Sequence, residues 1–278
     1  GAALTGDGAI SVANGNLTVT AGGLSLGGSG AVQSTGTGSI VVNAGGLTWT
    51  GTSSSSITCS GAGNVTINGD LTQASGASGA IALASGDFYV SGAAELYHPA
   101  TPQIRSATGS LTFGGAVTIN ALSALEGFGV QFDDALTLAG GNLTVTAGTG
   151  AATLTGPVTI GAYDLTVASS GITTLTGGIS GSTGNVDIAA TTRTDVDGAI
   201  ALTGAGTVQL DRAVVSGVNV TTVGGDITFD GAASTDTAAV AVQSGGANVL
   251  FNNTLGLGDA LTVTAGAITI SGAVSGAQ

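Results

Sequence analysis

The chain has 278 residues, of which 42% are hydrophobic and 7% charged, and sixteen acidic residues against three arginines give a net charge of −13. So few charges among so many apolar residues exclude a disordered chain. The acidic balance argues against nucleic acid and anionic membrane surfaces as partners, because both are bound through basic residues. No run of eighteen apolar residues occurs, so no transmembrane segment is expected.

Short apolar–x–apolar tripeptides recur along the chain at intervals of 21 to 25 residues. Apolar residues two apart lie on one face of a strand, so each tripeptide predicts a short strand with one buried face. The tripeptides form three series, at 17–19, 40–42, 65–67 and 88–90, at 143–145, 165–167, 186–188 and 208–210, and at 218–220, 240–242 and 261–263. Further tripeptides lie between them and recur at the same intervals along the chain.

A period near 22 residues, with about three short strands in each, predicts an all-β fold: a right-handed parallel β-helix, or β-solenoid. Each period forms one coil, and the length corresponds to roughly twelve coils in a single domain over 1–278. One coil alone buries too few side chains to offset the entropy lost in ordering it. The coils must therefore stack and share one core.

Gly-Asn pairs precede four of the predicted strands, with the asparagines at Asn16, Asn64, Asn142 and Asn185. Glycine and asparagine tolerate the left-handed backbone angles that sharp corners require. The four asparagines are expected to occupy equivalent corners and to bond along the solenoid axis as a ladder.

The repeat breaks once, at about 94–108, where two of the three prolines and the only histidine occur. We expect an irregular loop or distorted coil that projects from the solenoid. Tyr97, His98 and Arg105 are its candidate contact residues, although a purely structural loop fits the sequence equally well.

Large apolar residues at strand positions are expected to fill the core. The single cysteine, Cys59, shares a face with Ile57 and is expected to be buried with these core residues. The aromatic members of this set are Trp49, Phe88, Phe113, Phe128, Phe132, Phe229 and Phe251.

The repeated Gly-Asn-Leu-Thr-Val-Thr-Ala-Gly units, with almost no basic residues, resemble the filamentous-haemagglutinin and autotransporter-type β-helix regions of bacterial surface proteins. The resemblance covers nearly the whole chain apart from about 94–108. It implies an exported bacterial protein with a parallel β-helix that works in adhesion, surface architecture or filament formation. The chain has no Asn-Pro-Asn-type secretion motif and no Arg-Gly-Asp, so no transport route or receptor is implied.

One cluster of charged residues is a candidate site: Arg193, Asp195, Asp197, Asp211 and Arg212. It predicts either a charged groove or cation site, or a surface ion-pair ladder, which is the commoner arrangement. Glycoside hydrolysis needs two carboxylates across a groove, and with no lysine and one distant histidine the acid–base roles are hard to fill. We predict no catalytic residues and no enzyme activity.

Asp195-Val-Asp197-Gly198 has only part of the ligand set of a calcium loop. No cofactor is therefore predicted, and calcium at the coil corners stays open as an alternative.

The sequence near both ends, at 9–12 and 267–270, is ordinary repeat without polar caps. We expect either a piece of a longer parent rod or head-to-tail self-association, which does not close and so makes filaments. The leading interpretation is a secreted structural or adhesive β-solenoid at the bacterial cell surface, with carbohydrate or a host receptor as further partners. The alternative is a carbohydrate-active β-helix enzyme of the polysaccharide lyase or hydrolase type.

Overall fold

The computed structural model describes residues 4–50, 55–97, 103–236 and 238–276. These residues form 39 short strands and no helix, which confirms the all-β prediction. The chain falls into two compact units, Gly1–Gly148 and Thr149–Gln278, called unit 1 and unit 2 below. The single domain over 1–278 stays a prediction.

The strands of unit 1 are, in chain order, β1 Leu4–Gly6, β2 Ala9–Val12, β3 Leu17–Val19, β4 Leu24–Leu26, β5 Ala31–Ser34, β6 Ile40–Val42, β7 Leu47–Trp49, β8 Ser56–Cys59, β9 Val65–Ile67, β10 Leu71–Gln73, β11 Ala80–Leu83, β12 Phe88–Val90, β13 Ala94–Leu96, β14 Ile104–Ser106, β15 Leu111–Phe113, β16 Val117–Ile119, β17 Ser123–Gly127, β18 Val130–Phe132, β19 Leu136–Leu138 and β20 Leu143–Ala147.

The strands of unit 2 are β21 Ala152–Leu154, β22 Val158–Gly161, β23 Leu165–Ser169, β24 Ile172–Leu175, β25 Ile179–Gly181, β26 Val186–Ala190, β27 Arg193–Val196, β28 Ile200–Leu202, β29 Val208–Asp211, β30 Ala213–Val215, β31 Val220–Thr222, β32 Ile227–Asp230, β33 Ala233–Thr235, β34 Val240–Gln243, β35 Asn248–Phe251, β36 Leu255–Leu257, β37 Leu261–Thr264, β38 Ala267–Ile270 and β39 Val274–Gly276.

Within each unit, every strand pairs in parallel with the strand three places further along the chain. Three consecutive strands therefore make one coil, and the three sides of the coils make sheets A, B and C in that order, with β1, β2 and β3 as their first strands. Strands β1 to β18 form six complete coils in unit 1, and β22 to β39 form six in unit 2. These confirm the β-solenoid of about twelve coils.

The strand register confirms the predicted period. Leu17 pairs with Ile40, Ile40 with Val65 and Val65 with Phe88, all in sheet C. In sheet B of unit 2, Leu165 pairs with Val186, which pairs with Val208. Because every residue in such a column is apolar, the apolar side chains of successive coils stack into a continuous core.

The core is filled as the alternation predicts, with the outer residues of each tripeptide inside and the middle residue outside. Rings stack between successive coils in two places: Phe113 on Phe132 in sheet C, with centroids 5.1 Å apart, and Phe229 on Phe251 in sheet B at 4.8 Å. Phe88 contacts Phe113 in a tilted arrangement, with centroids 5.6 Å apart. Trp49 and Cys59 are fully buried. The prediction is wrong for Phe128, which is 45% exposed, because it lies in the Gly-Phe-Gly corner between β17 and β18 rather than in a strand.

Polar side chains do form ladders along the corners, but not the single ladder that was predicted. Asn16 and Asn64 precede strands of sheet C, whereas Asn142 and Asn185 precede strands of sheet B. The difference arises because one Gly-Asn sequence suits either corner. In unit 1 the side chain at this corner accepts the backbone N–H of the next coil: Ser39 N to Asn16 Oδ1 at 2.9 Å, Asn64 N to Ser39 Oγ at 3.1 Å, Asp87 N to Asn64 Oδ1 at 2.9 Å, and Ser110 N to Asp87 Oδ1 at 2.8 Å.

The corner position beside this ladder requires glycine, because the backbone of the preceding coil leaves no room for a side chain. A Cβ at Gly63 would collide with the carbonyl oxygen of Gly38 in the preceding coil. Glycine lets successive corners approach closely while the next residue supplies the polar side chain, which explains the Gly-Asn pairs.

Candidate functional site

The candidate charged patch begins on β27, in sheet C of unit 2. Arg193 and Asp195 are two residues apart and so point outward on the same face. Arg193 Nε lies 2.5 Å from Asp195 Oδ1, and its terminal Nη2 donates to Asp195 Oδ2 at 2.8 Å. The hydrogen bond to Asp195, and then the charge of that carboxylate, raises the pKa of Arg193 above its ordinary value. The pair is bidentate, so the charge of Arg193 is largely neutralised where it stands.

Arg212 lies in the corner between sheets B and C, one coil further along. It is the only non-glycine residue with a positive φ in the described part of the chain, at 49°. Its backbone N–H donates to Asp230 O at 2.8 Å, and its carbonyl oxygen accepts from Thr194 N at 3.1 Å. The hydroxyl of Thr194 also donates to Asp211 O at 2.7 Å. Both neighbouring coils therefore hold the Arg212 corner in its left-handed conformation.

The two arginines line one groove, which has a volume of about 330 Å³. Its other lining residues are small or carry hydroxyls: Thr192, Val214, Ala232, Ala233, Ser234, Thr254, Gly256 and Ser275. A second depression, of about 320 Å³, shares Ser234, Gly256 and Ser275 with it. The two depressions therefore adjoin at the outward residues of sheet C and are together called the sheet C groove; the arginines line the first of them.

The floor of the groove follows from the register of sheet C. Val214 pairs with Ser234, Ser234 with Gly256 and Gly256 with Ser275, so each is the outward middle residue of its strand. Asp195 pairs with Val214 and so stands at the head of the same column. Because the side chains become shorter from Asp195 through Val214 and Ser234 to Gly256, the surface falls away from the Arg193–Asp195 pair into the groove.

Two acids of the predicted patch lie beside the groove rather than in its lining. Asp211 ends β29 and pairs with Asp230 of the next coil. Burial, together with the charge of Asp230, raises the pKa of Asp211, while the charge and backbone N–H of Arg212 act against this rise. Asp197 follows β27 at the corner toward sheet A, where its N–H donates to Leu175 O at 2.9 Å. The patch is thus divided between two corners. Asp197 lies at the corner from sheet C to sheet A in one coil, and Asp211 and Arg212 lie at the corner from sheet B to sheet C in the next coil.

Two of the three candidate contact residues, Tyr97 and Arg105, lie in the described part of the chain. Arg105 lies on β14, and its Nε is 3.5 Å from Glu126 Oε2 of the next coil. Tyr97 is half-buried and follows β13, and its backbone N–H donates to Gln73 Oε1 at 2.9 Å. His98 lies outside the described residues.

A pair of buried glutamines at the base of this loop was not anticipated. Gln103 Nε2 donates to Gln73 Oε1 at 2.5 Å, and Gln73 Nε2 donates to Ala77 O at 2.7 Å. Both side chains are fully buried. The sequence does contain an indication, because Gln73 replaces the second apolar residue of a Leu71-Thr-Gln73 tripeptide. Tyr97 and Gln103 are thereby both hydrogen-bonded to Gln73.

Two further observations concern metal ligands and membrane-spanning helices. In the described ranges, no three histidine, cysteine, aspartate or glutamate side chains converge as metal ligands would. The same residues contain no helix long and apolar enough to cross a membrane. The absence of a cofactor stays a prediction, with calcium at the coil corners as the alternative that a chelation experiment can test.

Comparison with protein-family models, with curated proteins and with solved structures finds no match. The parallel β-helix that the repeat units predict is therefore established by the structure itself. Membership of the filamentous-haemagglutinin or autotransporter type rests on sequence resemblance alone.

Proposed function

We propose that the chain is a structural and adhesive β-solenoid of the bacterial cell surface, a subunit of an extracellular filament assembled by head-to-tail stacking of coils. The observation that carries this proposal is the regular coil repeat, whose three sheets continue in register to the last described coil, formed by β37, β38 and β39. Secretion to the surface is supported by the resemblance of the repeat units and by an acidic surface without lysine, which favours solubility outside the cell.

The last coil presents core positions to solvent. Ile268 and Ile270 pair with Val249 and Phe251 of the preceding coil, which are 0% and 2% exposed. Ile268 and Ile270 themselves are 50% and 42% exposed, and Val274 of β39 is 53% exposed. Burying these three side chains would contribute on the order of 3 to 5 kcal/mol, in addition to the backbone hydrogen bonds of three open edges.

The open edge has none of the features that normally prevent strand pairing. The segment 261–276 has no charged residue and no proline. Natural edge strands are usually protected by lysine, proline, bulges or a covering element. An edge that is apolar, uncharged and regular is a template for another strand.

The first coil of a second copy has the complementary pattern. Strands β1, β2 and β3 follow in the same order A, B and C, and Ala9-Ile-Ser-Val12 of β2 matches Ala267-Ile-Thr-Ile270 of β38 residue for residue in alternation. Leu4 to Leu17 and Leu261 to Val274 each span 13 positions from sheet A to sheet C. A first coil can therefore continue all three sheets with its apolar residues inside.

A charge on the open edge tests this proposal. Ile268→Lys places an ammonium group at a position that stacking would bury, whereas Val223→Lys adds the same charge at a corner position that is 63% exposed. In sedimentation velocity at roughly 100 µM, we expect the wild type and Val223→Lys to form concentration-dependent oligomers and Ile268→Lys to remain monomeric. A wild type that stays a single 25.9 kDa species would reject self-stacking.

The second candidate function is a carbohydrate-active enzyme, and one observation favours it. Asp211 lies beside the sheet C groove, and a raised pKa is the property that a general acid needs. If this function holds, the chain should depolymerise an acidic polysaccharide and Asp211→Asn should abolish the reaction. We favour the structural function because no carboxylate lines the groove among the described residues.

A further inference from the structure

The groove of unit 2 is long enough for a short polymer. Its floor comprises Val214, Ser234, Gly256 and Ser275 on four successive coils. At about 4.8 Å between neighbouring strands, these residues span roughly 14 Å. The corresponding outward column in unit 1 carries the larger side chains of Tyr89, Thr112 and Gln131.

Arg212 is held at the groove at a cost in backbone energy. The same corner position one coil further on is Gly231, with φ of 81°. A left-handed conformation costs a non-glycine residue on the order of 1 kcal/mol, so glycine would serve the fold better at position 212. The arginine is therefore not explained by the corner itself, and its side chain lines the groove.

The charge of Arg212 is the one that a ligand would meet. The carboxylate of Asp195 neutralises Arg193. Neither of the ion pairs formed by the described residues includes Arg212. The carboxylate of Asp211, beside Arg212, and that of Asp230 in the next coil weaken the positive potential at this corner, so binding of an anion there is expected to be weak.

The remaining lining suits a sugar better than a peptide. Hydroxyls of Thr192, Ser234, Thr254 and Ser275 can donate to and accept from ligand hydroxyls, and Val214 supplies a short apolar surface. The backbone groups of sheet C are already paired between coils, so a peptide cannot add as a strand on this face.

We propose that the sheet C groove of unit 2 binds an acidic oligosaccharide, with one carboxylate at Arg212 and the neighbouring sugar units along Ser234, Gly256 and Ser275. This inference does not depend on the stacking of coils between molecules, and the two are measured separately. It gives the adhesive role a ligand class that the repeat pattern alone does not identify.

Two variants test separately the contribution of the Arg212 guanidinium to binding and the contribution of the channel. Arg212→Gly removes the charge and relieves the left-handed strain, so its thermal midpoint should equal or exceed that of the wild type. Gly256→Tyr fills the channel, and a Cβ at Gly256 has room, with its nearest neighbour, Ser234 Cβ, at 3.4 Å. Arg105→Gln and Thr112→Tyr are matched controls that make comparable changes on unit 1.

Calorimetric titration with a trimer of galacturonic acid tests the proposal, with a glucose trimer and monomeric galacturonate as comparison ligands. We expect the wild type and both controls to bind the acidic trimer with Kd on the order of 1 mM at low salt. Arg212→Gly and Gly256→Tyr should each weaken binding at least about tenfold, the loss of one charge-assisted contact or of the channel.

Three results would overturn the proposal. The first is an absence of binding by the wild type at about 10 mM acidic trimer. The second is equal binding of the neutral trimer. The third is equal binding of monomer and trimer with no effect of Gly256→Tyr, which would reduce the site to a simple anion contact.

Discussion

The same hexapeptide, Leu-Thr-Val-Thr-Ala-Gly, occurs in an interior coil at 143–148 and in the last described coil at 261–266. In β20 its Leu143 and Val145 are fully buried, whereas in β37 Leu261 and Val263 are only half-buried. The two copies also belong to different sheets, B and A. Burial in this fold is therefore supplied by the neighbouring coil and not by the sequence of the coil itself.

The largest expected effect is the loss of stability on an alanine substitution in the buried copy of the hexapeptide, compared with the same substitution in the exposed copy. Leu143→Ala should lower the free energy of unfolding by about 2 to 5 kcal/mol, because it empties a closed site in the core. Leu261→Ala should cost less than about 1 kcal/mol in the unassembled chain, since its side chain is already partly in water. Urea unfolding at low protein concentration measures both, and equal losses would contradict the comparison.

Corner glycines offer a second contrast between crowded and open surroundings. Gly46 has φ of 67°, and a Cβ there would come within 2.7 Å of Asp70 N in the next coil. Gly46→Ala should cost about 2 kcal/mol or more through strain and contact. Gly256→Ala, on the open floor of the groove, should stay within about 0.5 kcal/mol of the wild type. A neutral Gly46→Ala in the same urea experiment would show that the corners are looser than the structure indicates.

The corner ladder should contribute less than the core. Asn64→Ala removes the acceptor of the Asp87 N–H and should lower the free energy of unfolding by about 0.5 to 1 kcal/mol. Asn64→Ser should restore most of the loss, because Ser39 fills the same role one coil earlier. If serine and alanine are equally destabilising, the ladder does not act through hydrogen bonds.

A smaller effect depends on pH. Burial raises the pKa of Asp187 on β26 above the ordinary 3.8. Ionised Asp187 therefore costs stability above its raised pKa, and this cost shrinks as the pH falls and is absent below the ordinary value. Asp187→Asn should raise the thermal midpoint at pH 7 and leave it unchanged at pH 3. A difference that persists at pH 3 would point to packing instead of ionisation.

The smallest expected effect is that of a chelator. About 5 mM EDTA should leave the thermal midpoint unchanged, because no metal contributes to the stability of the coils in this account. A fall in the midpoint that added calcium reverses would establish the alternative of calcium at the corners.

Much of the fold could be predicted from the sequence, because a two-residue alternation repeated near every 22 residues admits few structures. The column from Leu17 to Phe88 is the plainest case. The choice of corner could not be predicted, since Gly-Asn serves before sheet B and before sheet C. The position of Phe128 was missed because Gly-Phe-Gly resembles a strand tripeptide when only spacing is considered.

The groove was less predictable than the fold. The proximity of Arg193 and Arg212 followed from their spacing, but the channel depends on the small outward residues Ser234, Gly256 and Ser275 coming into register. Those residues carry no periodic apolar pattern, so their alignment appears only once the strands are paired. The left-handed backbone of Arg212 has no sequence indication, because arginine rarely adopts it.

Electron microscopy of the wild-type chain at high concentration tests the central claim most directly. If the last coil of one molecule stacks on the first coil of the next, the images should show unbranched filaments whose diffraction has an axial repeat of about 4.8 Å along their length. Separate particles of 25.9 kDa at every concentration, with no filaments and no axial repeat, would contradict it.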